Sequence, residues 1–149
     1  PELLIGEQVR TAPLLKRSGV EVISTAYLLI ESGTLTSVQF MSNSLPIPRN
    51  KPDIAMAHGL AAEYIGMKLI YLEAGSGGAR PVPDEMIEAI VGYCSLPVIV
   101  GGGIRDPETA RAKVEAGAGF VVTGKVVEDG DEELLAALGE LSAAVHLRE

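Results

Sequence analysis

The amino-acid sequence predicts an α/β protein of the (β/α)8 TIM-barrel type with phosphate-binding loops, of which the chain covers roughly the C-terminal half. Predicted strands alternate with amphipathic helices, and the last three strands begin at Lys68, Pro97 and Phe120, about one βα unit apart. Such an alternation requires parallel strands joined by right-handed crossovers. Glycines follow these three strands at their C-terminal ends, which suits the single mouth of a barrel better than a doubly wound sheet.

The number of strands sets the expected extent of the domain. Four strands are predicted, half of those in a closed barrel, and a complete barrel needs about 250 residues. The chain has 149 residues, so residues 1–149 are expected to form a single domain that is the C-terminal portion of a barrel. Because the chain starts at Pro1 rather than Met and shows no signal peptide, we expect a fragment of a longer protein.

The first half of the chain predicts two helices and one strand around a long connection. Residues 3–17 carry a helical apolar stripe with stop signals, although Pro13 is expected to kink or split this helix. Residues 20–30 are nearly unbroken apolar, as in a strand covered on both faces. In the polar connection that follows, residues 37–41 are predicted to be extended, and residues 52–66 then form a helix.

The second half is a regular succession of strand, glycine loop and helix. Strands and helices are predicted, in chain order, at residues 69–72, 83–93, 98–100, 107–116, 120–123 and 131–146. Asp106 followed by Pro107 is typical of a helix start, with Asp106 as the N-cap.

Composition excludes several classes of protein. No apolar run approaches the roughly 20 residues of a membrane-spanning helix. Twelve Lys and Arg against 20 Asp and Glu give a net charge of −8, which disfavours binding to nucleic acid and requires a local site for any anionic ligand. Cys94 is the single cysteine, which excludes an internal disulfide and fits the reducing cytoplasm.

Glu73 is the first candidate for chemistry. It ends a predicted strand and precedes the glycine turn of residues 75–78. A strand end points Glu73 into the barrel mouth, and glycines let backbone N–H groups approach an oxyanion. The alternative is a tight turn with a solvated glutamate.

The loops after the next two strands, residues 101–103 and 123–125, stand where phosphate-binding barrels hold their anion. An acidic protein can bind phosphate there through convergent backbone amides and a helix dipole. Arg105 either reaches a bound anion or pairs with a surface carboxylate such as Glu108, and we favour the ion pair. Lys125 either adds charge beside the phosphate or points outward.

Together these motifs resemble the geranylgeranylglyceryl phosphate synthases, the archaeal and PcrB-like prenyltransferases, over the C-terminal part of that family. The resemblance rests on seven segments: residues 71–77, 81–83, 100–105, 122–124 and 126–128, with 47–54 and 61–66. It implies a modified (β/α)8 barrel that joins sn-glycerol 1-phosphate to geranylgeranyl diphosphate in archaeal ether-lipid (phospholipid) biosynthesis.

The resemblance also implies roles for particular residues. Glu73 is the implied catalytic residue, which orients the glycerol hydroxyls. The residues implied to bind glycerol phosphate are Tyr71, Leu72, Glu73, Ala74, Gly75, Ser76, Gly77, Gly102, Gly103, Gly124 and Lys125. The family more usually has Thr or Asn where this chain has Lys125.

Mg²⁺ is the implied cofactor, which helps the diphosphate leave. The family's Mg²⁺-binding Asp lies on the first barrel strands, so no metal ligand is expected in residues 1–149, and the chain alone is expected to be inactive. The implied partners are sn-glycerol 1-phosphate and a prenyl diphosphate. The protein is expected to be cytoplasmic and to form a homo-oligomer. Peripheral contact with a membrane is compatible with the resemblance.

Two other functions fit the residues. One is another phosphate-binding barrel enzyme, such as an isomerase or aldolase. The other is a non-catalytic half-barrel that binds phosphate.

Overall fold

The computed structural model describes residues 5–124 and 134–146. Strands and helices alternate along most of this part of the chain. In chain order they are α1 Gly6–Ser18, β1 Thr25–Leu29, α2 Ser37–Ser42, α3 Pro52–Tyr64, β2 Leu69–Glu73, α4 Asp84–Tyr93, β3 Val98–Gly101, α5 Pro107–Glu115, β4 Phe120–Val122 and α6 Leu134–Val145.

The four strands form one parallel sheet in the order β1-β2-β3-β4. Glu73 is level with Leu29 on β1 and with Gly101 on β3, so the carboxyl ends of these strands meet at one edge. Four parallel strands in sequential order confirm the predicted α/β architecture. The order also brings the loops after β2, β3 and β4 together at this edge.

The core lies between the sheet and the helices that cover it. Buried apolar side chains of β2 and β3 alternate with half-buried neighbours, and α4 contributes a fully buried stripe. The largest side chains that are less than 2% exposed are Ile30, Ile70, Leu72, Val82, Met86, Ile87, Ile90, Val98 and Val100. Aliphatic side chains therefore form the core, as the low aromatic content of 4% requires.

The strand predicted at residues 20–30 begins later than expected. Pairing starts at Thr25, which is level with Leu69, the first residue of β2. Val20 and Val22 lie ahead of this register and are exposed. A β-rich sequence becomes a strand only where a neighbour pairs with its backbone, and hydrophobicity alone does not reveal that register.

The prediction that residues 37–41 are extended is wrong, because they belong to helix α2. Thr36 caps this helix: its Oγ1 accepts a hydrogen bond from the Gln39 N–H, with an N···O distance of 3.4 Å. Asn43 ends the helix in the left-handed conformation, with φ of 51°. Thr followed three residues later by Gln is a capping-box pattern, and this signal marks the helix in the sequence.

The first and last helices lie close to their predicted positions. α1 runs through Pro13 without being split, and none of its residues is buried. The helix predicted over residues 131–146 is present from Leu134 to Val145, while residues 131–133 lie outside the described residues. No helix in the described parts of the chain has both the length and the apolar composition needed to cross a bilayer.

A buried lysine joins two neighbouring helices. Lys113 on α5 is 4% exposed, and its Nζ donates a hydrogen bond to Asp84 Oδ1 in the first turn of α4, at 2.5 Å. A buried ammonium group needs such a partner, so the pair fixes α5 against α4.

Asp106 is the N-cap of α5, as predicted, and replacing it by alanine should lower the free energy of unfolding by about 1 kcal/mol at neutral pH. Its carboxylate accepts hydrogen bonds from Thr109 N at 2.7 Å and Thr109 Oγ1 at 2.8 Å. These bonds lower the pKa of Asp106. The contribution is therefore present above the unfolded-state pKa and lost as the pH falls through the folded-state pKa.

Urea unfolding of the wild-type chain and Asp106→Ala, at neutral and at acid pH, measures this contribution. Asp106→Asn is the control, because asparagine caps a helix without titrating. A gap between wild type and Asp106→Ala that persists at acid pH would contradict the assignment.

Candidate functional site

A cleft of about 230 Å³ opens at the carboxyl edge of the sheet. It is lined by Tyr71, Glu73, Ser76, Gly77, Gly102, Gly103, Ile104, Arg105, Val122, Thr123 and Gly124. These residues come from the ends of β2, β3 and β4 and from the loops that follow them. The cleft is smaller than the roughly 300–1,000 Å³ of pockets for drug-sized ligands, so it suits a small ligand.

Glu73 is the acidic residue of this cleft. It is 7% exposed, and its Oε1 accepts a hydrogen bond from the Gly75 N–H at 2.6 Å. The register with Gly101 sets the carboxylate beside the β3 loop, where no side chain intervenes. A buried carboxylate with one oxygen bound to a backbone amide keeps its orientation and offers the remaining acceptor positions to ligand hydroxyl groups.

Tyr71 of the cleft contacts a second tyrosine, Tyr27 on β1. Tyr71 and Tyr27 are level in the sheet, and their rings meet edge to face with centroids 5.1 Å apart. Burial, a hydrogen bond to Glu73 and the charge of Glu73 all raise the pKa of Tyr71. Burial, followed by the Glu73 charge, raises the pKa of Tyr27 to about 12. Both hydroxyls are therefore protonated at neutral pH, and that of Tyr71 donates to Glu73.

Only glycine fits at positions 102 and 103 of the β3 loop. Gly102 has φ of +83°, and a Cβ there would lie 2.6 Å from Glu73 Oε1 and 2.6 Å from the Gly75 nitrogen. Gly103 has φ of +72°, and a Cβ would lie 2.9 Å from the Pro81 nitrogen. The two glycines therefore let the β3 loop pack directly on the loop after β2, which forms the floor and wall of the cleft.

The β2 loop is further held by an arginine from the connection between α2 and α3. Arg49 Nη1 donates to the Glu31 carbonyl at 3.1 Å and to the Pro81 carbonyl at 2.7 Å. Pro81 is the residue against which Gly103 packs. Arg49 thus links the segment after β1 to the backbone that borders the cleft.

Seven of the predicted binding residues line the cleft together: Tyr71, Glu73, Ser76, Gly77, Gly102, Gly103 and Gly124. The side chains of Leu72 and Ala74 are buried in the core instead. Gly75 lies behind Glu73 and donates to its carboxylate. Lys125 lies outside the described residues.

Two lining residues, Ile104 and Val122, were not expected in the site, and Arg105 was favoured for another role. Thr123 belongs to the loop that was expected to hold phosphate. Thr123 Oγ1 donates to the Ile104 carbonyl at 3.2 Å, which ties the β4 loop to the β3 loop. Arg105 makes no ion pair with Glu108 among the described residues, so the favoured surface pair is wrong, and its Nη2 donates to the Gly78 carbonyl at 3.2 Å.

The described residues do not fit a metal site. Among residues 5–124 and 134–146, no group of three or more His, Cys, Asp or Glu is close enough to hold an ion. Within the described part of the chain, Glu73 is the only carboxylate that lines the cleft, and one of its oxygens is already bound by Gly75. Mg²⁺ prefers six oxygen ligands, so the described residues of this cleft do not fit Mg²⁺.

Comparison with known families agrees with this architecture. The model of the PcrB family matches residues 2–142, which is nearly the whole chain. The chain belongs to the PcrB family. Geranylgeranylglyceryl phosphate synthase of Chitinophaga pinensis is 46% identical to this PcrB-family chain over 146 residues, 98% of this chain and 56% of that enzyme. The enzyme of the same name from Thermococcus gammatolerans is 47% identical over 99% of this chain and 58% of that enzyme.

Solved structures extend the comparison to the fold. Wild-type GGGPS from Thermoplasma volcanium has a TM-score of 0.90 and 36% identity to this PcrB-family chain, over 99% of this chain and 58% of that one. The synthase of Thermoplasma acidophilum, in complex with its substrate sn-glycerol-1-phosphate, has a TM-score of 0.88 and 35% identity over 97% of this chain and 57% of that one. The chain therefore spans somewhat more than half the length of these relatives.

Proposed function

We propose that the chain is the glycerol-phosphate-binding portion of a prenyltransferase that joins sn-glycerol 1-phosphate to geranylgeranyl diphosphate. The observation that carries the proposal is the cleft in which buried Glu73 faces three glycine-containing strand ends. Membership of the PcrB family, and the sn-glycerol-1-phosphate complex of a relative, support the same substrate.

The glycine loops supply the phosphate site in this proposal. Ser76 and Gly77 come from the β2 loop, Gly102 and Gly103 from the β3 loop and Gly124 from the β4 loop, all at one edge of a parallel sheet. Backbone N–H groups in such loops bind an oxyanion without a basic patch. This suits a chain whose net charge is −8.

Glu73 supplies the recognition of glycerol. Its carboxylate is fixed by Gly75 and hydrogen-bonded by Tyr71, so its remaining lone pairs accept from hydroxyl groups of the ligand. The Glu73 carboxylate holds and orients the attacking hydroxyl group of glycerol. It also accepts the proton of this hydroxyl group as the ether bond forms. In the proposed reaction the hydroxyl oxygen bonds to the allylic carbon, the carbon–oxygen bond to diphosphate breaks, and diphosphate leaves with the bonding pair.

Several further properties remain predictions. Mg²⁺ as the cofactor that stabilises the departing diphosphate, the prenyl diphosphate partner, the cytoplasmic location, the homo-oligomer and any membrane contact rest on the family resemblance. The relatives contain a segment that this chain does not span, and we expect the metal ligand there.

The chain should bind sn-glycerol 1-phosphate at least about tenfold more tightly than its 3-phosphate enantiomer or a sugar phosphate, because a fixed carboxylate and a fixed anion site together select one hydroxyl arrangement. Isothermal titration calorimetry measures these affinities. Equal affinity for all phosphate esters would favour another phosphate-binding barrel or a non-catalytic binding module.

A prenyl-transfer assay completes the test. With geranylgeranyl diphosphate and saturating Mg²⁺, the 149-residue chain should bind the glycerol substrate without turnover. A chimera preceded by the corresponding segment of the Chitinophaga pinensis enzyme is the positive control and should form the ether. Robust turnover by the 149-residue chain itself would show either that the segment it does not span is dispensable or that the reaction takes place outside this cleft.

A further inference from the structure

Among the described residues, one positively charged side chain lines the cleft beside its backbone amides. Arg105 is the only cationic residue among the described residues that line it, and Glu73 is the only anionic one. A dianionic ligand entering this cleft meets the negative charge of Glu73 and of an acidic chain. Without a compensating cation, the amides alone would have to offset that repulsion.

The structure holds Arg105 where it can compensate. The residue directly follows the β3 glycine loop, and its Nη2 donates to the Gly78 carbonyl in the β2 loop at 3.2 Å. The side chain therefore links the β3 loop to the β2 loop and lines the cleft beside them. A guanidinium has five N–H donors, and Gly78 is its only hydrogen-bond partner among residues 5–124 and 134–146.

We propose that Arg105 is a specificity-determining residue that reads the second negative charge of a phosphate monoester. The proposal rests on the proposed function, because it takes a glycerol phosphate as the ligand. The cleft then has two charged determinants: Glu73 accepts from hydroxyl groups, and the Arg105 guanidinium donates to the phosphate oxygens. Arg105 adds most for a dianion, since its Coulomb attraction grows with the ligand's charge.

Two ligands of similar shape but different charge test this role of Arg105. At about pH 8 a phosphate monoester, with a second pKa of about 6, is a dianion, while the sulfate monoester of the same glycerol is a monoanion. Calorimetry of the wild-type chain should show tighter binding of glycerol 1-phosphate than of glycerol 1-sulfate. Arg105→Gln should weaken glycerol 1-phosphate binding about ten- to a hundredfold and bring the phosphate-to-sulfate preference towards one.

Two further variants separate charge recognition from loop support. Arg105→Lys keeps the charge and should retain a phosphate preference between those of wild type and Arg105→Gln. Arg111→Gln removes one positive charge from α5 outside the cleft and should bind both ligands as the wild type does. Thermal unfolding shows whether each variant is folded. If Arg105→Gln does not fold, the comparison of Arg105→Lys with the wild type tests the proposal.

The outcomes distinguish this inference from the proposed function. The role of Arg105 would be overturned if Arg105→Gln lost affinity for both ligands equally, or if its preference for phosphate over sulfate were unchanged. Either result would leave the proposed binding of glycerol phosphate standing. A lost preference in Arg105→Lys would also overturn the role of Arg105. If the wild-type chain binds neither ligand, the proposed function fails, and the inference fails with it.

Discussion

Gly102→Ala should lower the affinity for sn-glycerol 1-phosphate by about a hundredfold or more, which corresponds to about 3 kcal/mol. The added Cβ would lie 2.6 Å from Glu73 Oε1, 2.6 Å from Gly75 N and 2.8 Å from Ala74 N. It would therefore separate the Glu73 carboxylate from the amide that fixes it. Alanine also costs about 1–2 kcal/mol in the left-handed conformation that Gly102 adopts with φ of +83°.

Gly119→Ala is the matched control for this prediction. It makes the same chemical change, but its Cβ would meet only the Val98 carbonyl oxygen, at an ordinary 3.7 Å. Calorimetry gives the affinities, and urea unfolding separates loss of the site from loss of the fold. Wild-type affinity in a folded Gly102→Ala variant would show that the ligand does not use the Glu73 carboxylate or the β3 loop as described.

The elements that the sequence predicted well are those with local signals. Strands β2 and β3 are short apolar runs bounded by glycine, and α5 begins at a capping aspartate followed by proline. Their order in the sheet follows from the handedness of βα crossovers. The glycine loops could therefore be assigned to one edge before any contact was known, and the cleft lies at that edge.

The two errors in secondary structure have different origins, one in contacts between distant parts of the chain and one in a missed local signal. The start of β1 is set by its register with β2, which no residue near Val20 encodes. The helix at Ser37–Ser42 has a local capping signal in Thr36 and Gln39, which the prediction of an extended segment did not take into account. A local sequence pattern limits the secondary structures that a segment can form. Contacts with other segments determine which of them is present in the folded chain.

The residues of the cleft likewise divide into those with a local sequence signal and those that only the folded chain reveals. Glu73 and the glycines were found because their residue types at strand ends suggest chemistry. Arg105 was favoured as a surface residue, since only the folded chain shows that it lines the cleft and that its guanidinium donates to Gly78 in the β2 loop. The bond from Gly75 to Glu73 was also beyond sequence reasoning, because it depends on the turn geometry after β2.

Glu73→Gln should reverse the ligand preference of the cleft. Glutamine keeps one oxygen to accept from Gly75 N–H but replaces the other by an NH₂ donor, so it offers fewer acceptors to glycerol hydroxyl groups. A hydrogen bond to a charged group contributes about 1.5–3 kcal/mol, so the affinity for sn-glycerol 1-phosphate should fall about ten- to a hundredfold. Inorganic phosphate, which lacks these hydroxyls, should bind as tightly or more tightly, because one negative charge has left the cleft.

Misfolding of the variant would weaken the binding of both ligands, whereas recognition of glycerol by Glu73 predicts a loss for sn-glycerol 1-phosphate alone. Calorimetry with each ligand measures the effect, and Glu88→Gln on the exposed face of α4 is the control for loss of one charge. A Mg²⁺ titration of the same variants tests the rival role. If Glu73→Gln loses Mg²⁺ affinity while glycerol phosphate affinity is kept, Glu73 holds metal; if both phosphate ligands weaken equally, it supports the loop and does not recognise glycerol.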